Sequence, residues 1–144
     1  MPVTHRQLEW QRRRFEMLRR VMGNRIVSVA GLQRGRLPLL EFVCGHEGCS
    51  QREIADVLHV SPASVAVSVR RMEKDGLLRR SADALDHRVN RIHSTALGRD
   101  KVQACLMQFG ALTARMFAGL SQEELCKLHE TIEKLFSNLN GEAS

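Results

Sequence analysis

The sequence is poor in aromatic residues and in long apolar runs, and each shortage excludes a class of protein. Only 4% of its 144 residues are aromatic and none is tyrosine, so stacked rings that bind single-stranded nucleic acid are not expected. No run of about 18 apolar residues occurs, which argues against a transmembrane helix. Residues 1–30 lack the apolar core of a signal peptide, so we expect a cytoplasmic protein.

Features of catalytic sites are also missing. The sequence contains no nucleophile with a nearby base, no phosphate-binding glycine loop and no carboxylate pair in a convincing context. We therefore expect neither an enzyme nor a bound cofactor.

The cysteines leave one question open. Cys44, His46 and Cys49 lie close together in a predicted loop, which invites a zinc site or a redox switch. A structural zinc site usually has four ligands, and Cys105 and Cys126 each stand alone on a predicted helix. We expect no metal and a turn with semi-buried, reduced thiols. A thiol- or metal-responsive protein stays an alternative.

Positive charge is concentrated in two segments of the chain, whose net charge is +6. Residues 1–36 carry nine Lys and Arg against two acids, and residues 61–99 carry eight against four. The segments 37–60 and 100–144 are net negative. This distribution is typical of a surface that binds the phosphates of nucleic acid.

Residues 50–76 have the pattern of two short helices joined by a tight turn. Ser50 and Glu53 have the spacing of a capping box, which opens the first helix. Ser61 followed by Pro62 is a favourable start for the second helix. Two helices with a connection this short are typical of a helix-turn-helix.

The second of these helices has two different faces. Val65, Val69 and Met72 recur at helical spacing and are expected to pack inward. The other face is small, polar and basic, and we predict that it contacts DNA: Ser61, Ala63, Ser64, Val67, Ser68, Arg70, Arg71 and Lys74. The small residues would meet base edges, whereas the three cations would hold phosphates.

A β-hairpin is predicted directly after this helix. Two short strands, 77–80 and 91–94, flank a polar loop that is rich in turn-forming residues. Arg88 in the loop suits a narrow minor groove, and Asp86 would orient it through a charge-assisted hydrogen bond. We include Arg91 with these two as a DNA-binding residue.

The stretch 50–98, about a third of the chain, resembles the DNA-binding core of the MarR-type transcriptional regulators. The matching pieces are Ser50-Gln51, Ile54-Ala55, Val60-Ser61-Pro62, Val65, Met72-Glu73-Lys74, Gly76-Leu77, Asp86, Arg88, Thr95 and Gly98. Ala66 and Val67 depart from the pattern, because relatives often have polar or basic residues there. The resemblance implies a sequence-specific regulator of double-stranded DNA, a repressor by family habit, that binds a palindromic operator as a homodimer.

The remaining residues are predicted to form four further helices. These span 4–30 with Thr4 as the cap, 33–44, 95 to about 120, and 121 to about 139. Apolar residues expected to face inward in the second of them are Leu37, Leu40, Phe42 and Val43. The first and last carry apolar stripes: Leu8, Phe15, Leu18, Met22, Ile26 and Val29, and Leu125, Leu128, Ile132, Leu135 and Leu139.

The resemblance implies one MarR-like domain over residues 1–144, mainly α with a small β wing. Residues 33–98 would form the winged helix-turn-helix lobe, and 1–30 and 99–144 the dimerisation helices. It also implies a small, often aromatic effector that shifts the lobes. The candidate effector-binding residues are Trp10, Phe15, Met17, Phe42 and His46. A winged-helix module that binds another protein is the remaining alternative, and salt-dependent DNA binding would separate the two.

Overall fold

A computed structural model describes residues 1–33 and 35–141. The described part contains helices α1 His5–Val29, α2 Arg36–Gly45, α3 Gln51–Leu58, α4 Pro62–Lys74, α5 Ala96–Met116 and α6 Gln122–Asn140, and strands β1 Cys49–Ser50, β2 Leu78–Ala82 and β3 Asn90–Ser94. The predicted fold class, mainly α with a small β wing, is confirmed. Two of these predictions include residues outside the described part. Arg34 belongs to the predicted helix 33–44, and residues 142–144 belong to the predicted segment 99–144.

The chain forms two compact units, Met1–Phe109 and Gly110–Ser144. The first unit contains every element from α1 to β3 and most of α5, and the second contains the end of α5 and α6. Among the described residues, no helix is both long and apolar enough to cross a membrane. The predicted division into a DNA-binding lobe and dimerisation helices stays a prediction.

The core of the first unit is built from α2, α3, α4, the sheet and the start of α5. Leu40, Ile54, Met72, Ile92 and Cys105 are fully buried there. The inward-facing residues predicted for α4 are confirmed, since Val65 and Val69 are buried beside Met72. Because α4 is fixed on this core by one apolar face, its opposite face is left exposed.

Helix α2 shows where the apolar pattern was insufficient. Its buried residues are Leu39, Leu40 and Val43, whereas Leu37 and Phe42 are only partly buried. The prediction omitted Leu39 because the helix is apolar on nearly every side, so spacing alone does not identify the inward face. The helix also begins later than predicted, at Arg36, after Gly35 in a left-handed conformation.

The sheet contains a strand that the sequence did not indicate. Cys49 and Ser50 were predicted to end a loop and to cap a helix, but they also form β1, antiparallel to β3. A two-residue strand is too short to show alternation, and it forms because β3 offers a free edge. The strand order is β1-β3-β2.

The hairpin strands differ slightly from their predicted ranges. Strand β2 runs to Ala82, beyond the predicted end at residue 80, and β3 begins at Asn90. Backbone pairing from Leu78 with Ser94 to Ala82 with Asn90 therefore includes residues that the prediction placed in the loop. The loop proper is reduced to residues 83–89.

Candidate nucleic-acid interface

The start of α4 is held in place by local hydrogen bonds. Helix α3 ends at His59, whose φ of 54° lies in the left-handed region and turns the chain sharply. The Ser61 hydroxyl oxygen then accepts a hydrogen bond from the Ser64 backbone N–H at 3.1 Å, and Pro62 occupies the first turn. The predicted turn and cap of the helix-turn-helix are confirmed.

The face predicted to contact DNA is open to solvent. Of its eight residues, Ser68 is half-buried. The other seven are exposed: Ser61, Ala63, Ser64, Val67, Arg70, Arg71 and Lys74. The buried residues of α4 lie on the opposite side. The structure thus places the predicted set on one accessible helix face, although its contact with DNA stays a prediction.

Ser61 and Ser64 on this face differ in how many hydrogen bonds their hydroxyl groups can still form. The Ser61 hydroxyl accepts from the Ser64 N–H and donates to the Ser64 hydroxyl oxygen at 2.9 Å. The Ser64 hydroxyl therefore accepts that bond and keeps its own proton for a further acceptor. Of the two, Ser64 is the better candidate for a base contact, and Ser61 is primarily the helix cap.

The cations of α4 are not neutralised within the described residues. Arg70, Arg71 and Lys74 make no salt bridge there, whereas the neighbouring Glu73 is bound by Arg80 at 2.6 Å. Two of the three lie in the last turn, where positive charge also favours the negative end of the helix dipole. Their charges are available to bind phosphates.

The wing loop is closed by Asp83, a residue that the sequence analysis did not single out. One oxygen of its carboxylate accepts from the backbone N–H groups of Leu85 at 2.8 Å and Asp86 at 3.1 Å. Its own N–H donates to the Val89 carbonyl at 2.9 Å. An aspartate at the first position of a turn is a known signal for such bonds, but it did not identify their partners.

Arg91 binds the other oxygen of Asp83. Its Nε lies 2.7 Å from Asp83 Oδ2, and its Nη1 lies 3.4 Å from the carbonyl oxygen of Gly48, in the turn before β1. The hydrogen bond from Arg91, with those from Leu85 and Asp86, lowers the pKa of Asp83 to about 2. The same pairing raises the pKa of Arg91.

Asp86 contacts Arg88 differently from our prediction. We expected its carboxylate to bind the guanidinium, but Oδ1 accepts from the Arg88 backbone N–H at 3.0 Å. At a spacing of two residues in a turn, the backbone N–H is the nearer donor. The Arg88 side chain is exposed and forms no salt bridge within the described residues. It projects from a loop that two carboxylates hold in shape.

Cysteines flank the loop between α2 and β1, and both thiols are at least partly buried. Cys49 is buried, and burial raises the pKa of its thiol to about 11, with a further contribution from the Glu53 carboxylate. Burial also raises the pKa of Cys44. The His46 ring stacks on Phe42 with centroids 4.2 Å apart. Within the part that the structure describes, no group of three or more potential ligands is arranged to hold a metal.

The predicted effector residues fall into separate places on the chain. Trp10 is exposed, carries the Arg14 guanidinium 5.3 Å from its ring centre, and lines a groove formed by residues 1–11. Phe42 and His46 line a different groove of about 640 Å³. Phe15 and Met17 are exposed on α1. The effector site stays a prediction.

Comparisons with known proteins support the resemblance. Residues 30–89 match the model of the MarR family. The chain is 22% identical to the uncharacterized HTH-type transcriptional regulator YdgJ of Bacillus subtilis over 121 residues, which are 84% of this chain and 74% of that protein.

Two solved structures have the same fold. The crystal structure of MarR superposes with a TM-score of 0.66 at 20% identity, covering 92% of this chain and 96% of that one. The MepR–DNA complex of S. aureus gives a TM-score of 0.78 at 22% identity, covering 91% and 98%.

The helix-turn-helix, the β-hairpin and the exposed cations of α4 define a winged helix-turn-helix protein. The match to the MarR family model covers residues 30–89, and the chain shares the fold of the solved MarR structure. The part of the chain that holds the helix-turn-helix is therefore similar to DNA-binding transcriptional regulators of the MarR type, a family of regulators and not of enzymes.

Proposed function

We propose that the protein is a homodimeric repressor that binds a palindromic operator in double-stranded DNA and is released by a small-molecule effector. One observation carries the proposal: the exposed face of α4 and the tip of the wing both present cations that have no acidic partner in the described residues. The likeness to MepR, which was solved in complex with DNA, supports the choice of partner.

The contacts with DNA divide into two classes. Ser64, Ala63 and Val67 would lie against base edges in the major groove, where hydroxyls bond to polar atoms and small apolar groups meet thymine methyls. Arg70, Arg71 and Lys74 would bind phosphates, which fix the position of the helix without specifying sequence. Arg88 would enter the adjacent minor groove. The remaining members of the predicted set would support this surface: Ser61, Ser68, Asp86 and Arg91.

The proposal of a dimer is supported by apolar residues that each unit leaves uncovered. Helices α1 and α6 contain no buried residue. Their large exposed side chains include Leu8, Phe15, Leu18, Ile132, Leu135, Phe136 and Leu139. Apolar surfaces of this kind commonly mark interfaces between proteins. A two-fold dimer would double the contacts and match a palindromic site.

Repression and release by an effector are implied by the family resemblance, and a cytoplasmic location is proposed because residues 1–30 lack the apolar core of a signal peptide. The resemblance implies a ligand between the dimer helices and the DNA-binding lobe, and ligand binding would shift the spacing of the two recognition helices. Such a ligand releases DNA only if it binds the shifted arrangement more tightly. The thiol-responsive alternative is disfavoured because Cys49 is buried and its pKa is raised.

The experiment is a selection of genomic fragments by the purified protein at about 0.15 M salt, followed by footprinting of the enriched fragments. We expect short inverted-repeat footprints. Arg70→Met should weaken binding, whereas Arg20→Met, which removes an equal charge from the exposed surface of α1, should weaken it less. A lack of enrichment over bulk DNA, in the presence and absence of reductant, would overturn the proposal.

A further inference from the structure

The middle strand of the sheet carries an arginine that donates two hydrogen bonds within the protein. Arg91 was predicted to bind DNA, yet its Nε donates to Asp83 and its Nη1 to the carbonyl of Gly48. Its side chain is 39% exposed and that of Asp83 only 17%. This residue therefore connects three parts of the fold: strand β3, the start of the wing loop and the turn before β1.

The wing loop depends on the carboxylate that Arg91 holds. Asp83 accepts from Leu85 and Asp86 through its other oxygen, and Asp86 in turn accepts from the Arg88 N–H. These bonds determine the backbone path that leads to Arg88. A change in the position of Asp83 would therefore be transmitted along the loop to the residue at the tip.

We infer that Arg91 is a positioning residue of the wing and not a phosphate contact, an inference that rests on the proposed function. Paired with Asp83, it holds loop 83–89 so that Arg88 projects toward the minor groove. Two of its five N–H donors are bound inside the protein, which distinguishes it from Arg70, Arg71 and Lys74.

The first test uses the free protein and requires no DNA. Hydrogen exchange of the Leu85, Asp86 and Arg88 amides should become about tenfold faster in Arg91→Met, because the loop opens more often. Arg79→Met is the matched control, since Arg79 is exposed on the same hairpin and has no salt bridge in the described residues. Unchanged exchange in Arg91→Met would refute the positioning role.

The second test is a double-mutant cycle with operator DNA from the selection. Arg91→Met and Asp83→Ala should each weaken binding about fivefold, and the double variant should lie within about twofold of the weaker single variant, because both remove the same pair. The salt dependence of binding should stay unchanged. Arg88→Ala should weaken binding while leaving exchange of the loop amides unchanged, since it keeps the N–H that Asp86 accepts.

One result of this cycle would overturn the inference, and another would overturn only the proposed function. If Arg91 contacts a phosphate, its loss should add to that of Asp83 and lower the salt slope by about 0.9 for each protomer. If the wild-type protein binds no operator, the proposed function fails, but the exchange experiment still decides whether Arg91 orders the wing.

Discussion

Gly98 lies where α5 passes Leu77, the residue just before β2, at a distance that leaves no room for a side chain. A Cβ atom there would lie 2.3 Å from the Leu77 carbonyl oxygen and 3.3 Å from Leu40 Cδ1. Because the nearer atom belongs to the backbone, the helix itself would have to move. We predict that Gly98→Ala destabilises the protein by about 1–3 kcal/mol, measured by urea unfolding at fixed protein concentration.

Gly45 provides the control for this substitution. It is the last residue of α2, and no atom lies within 4 Å of the position of its Cβ. Gly45→Ala should change the free energy of unfolding by no more than about 0.5 kcal/mol. Equal effects of the two substitutions would contradict the close approach of α5 and Leu77.

A second residue-scale prediction concerns Cys49. Its pKa of about 11, raised mainly by burial, keeps the thiol protonated near neutral pH. We expect iodoacetamide to alkylate Cys49 about 100-fold more slowly in the folded protein than in guanidinium, where the thiol has its ordinary pKa. Peptide mass spectrometry gives both rates. The folded-state rate should rise with pH up to about 11, and comparable rates near neutral pH would revive the thiol-responsive alternative.

Residue types could be predicted here better than residue partners. Arg88 and Gly98 were identified because they match a motif of fixed spacing. Asp83 was missed, since its partner Arg91 lies eight residues away across the hairpin and the pairing depends on register. Glu47, which accepts hydrogen bonds from the N–H and hydroxyl of Ser94, was missed for the same reason.

At the scale of the element, the recognition helix depends on its first residue. The Ser61 hydroxyl caps α4 by accepting from the Ser64 N–H. We predict that Ser61→Ala lowers the free energy of unfolding by about 1 kcal/mol. Ser61→Asp should keep the cap and favour the helix dipole, while weakening DNA binding because it adds negative charge. Thermal unfolding and operator titration measure the two effects.

Ser68 is the control for the cap, because it lies inside α4 and takes no part in capping. Ser68→Ala should change stability by no more than about 0.5 kcal/mol. If Ser61→Ala were equally mild, or if Ser61→Asp were as unstable as the alanine variant, the cap would not be what positions this helix.

Elements with local signals were predicted, and elements that depend on distant pairing were not. Helices α3 and α4 carry their own caps at Ser50 and Ser61, so their starts follow from short-range sequence. Strand β1 has two residues and forms only by pairing with β3. The ends of β2 and β3 were also set by pairing, which explains why the loop is shorter than predicted.

At the scale of the whole molecule, the proposed dimer can be tested on α6. Leu135 belongs to the exposed apolar stripe of this helix, whereas Lys134 lies outside that stripe. We predict that Leu135→Glu abolishes the dimer, giving a light-scattering mass of 16.3 kDa or loss of folded protein. Lys134→Glu changes charge in the same helix and should leave the dimer intact. A Leu135→Glu protein that keeps twice the chain mass would contradict the proposed interface.

The salt dependence of binding tests the dimer and the DNA surface together. Each chain presents Arg70, Arg71, Lys74 and Arg88 as exposed cations, so a dimer offers about eight phosphate or minor-groove contacts. Affinity should therefore fall about 10³- to 10⁵-fold between about 50 and 200 mM salt. If Leu135→Glu yields a folded monomer, its slope should be about half that of the dimer, because only one lobe then binds. A shallow dependence in the wild-type protein would show that phosphates are not the main partners of this surface, and would favour a protein partner for the winged helix.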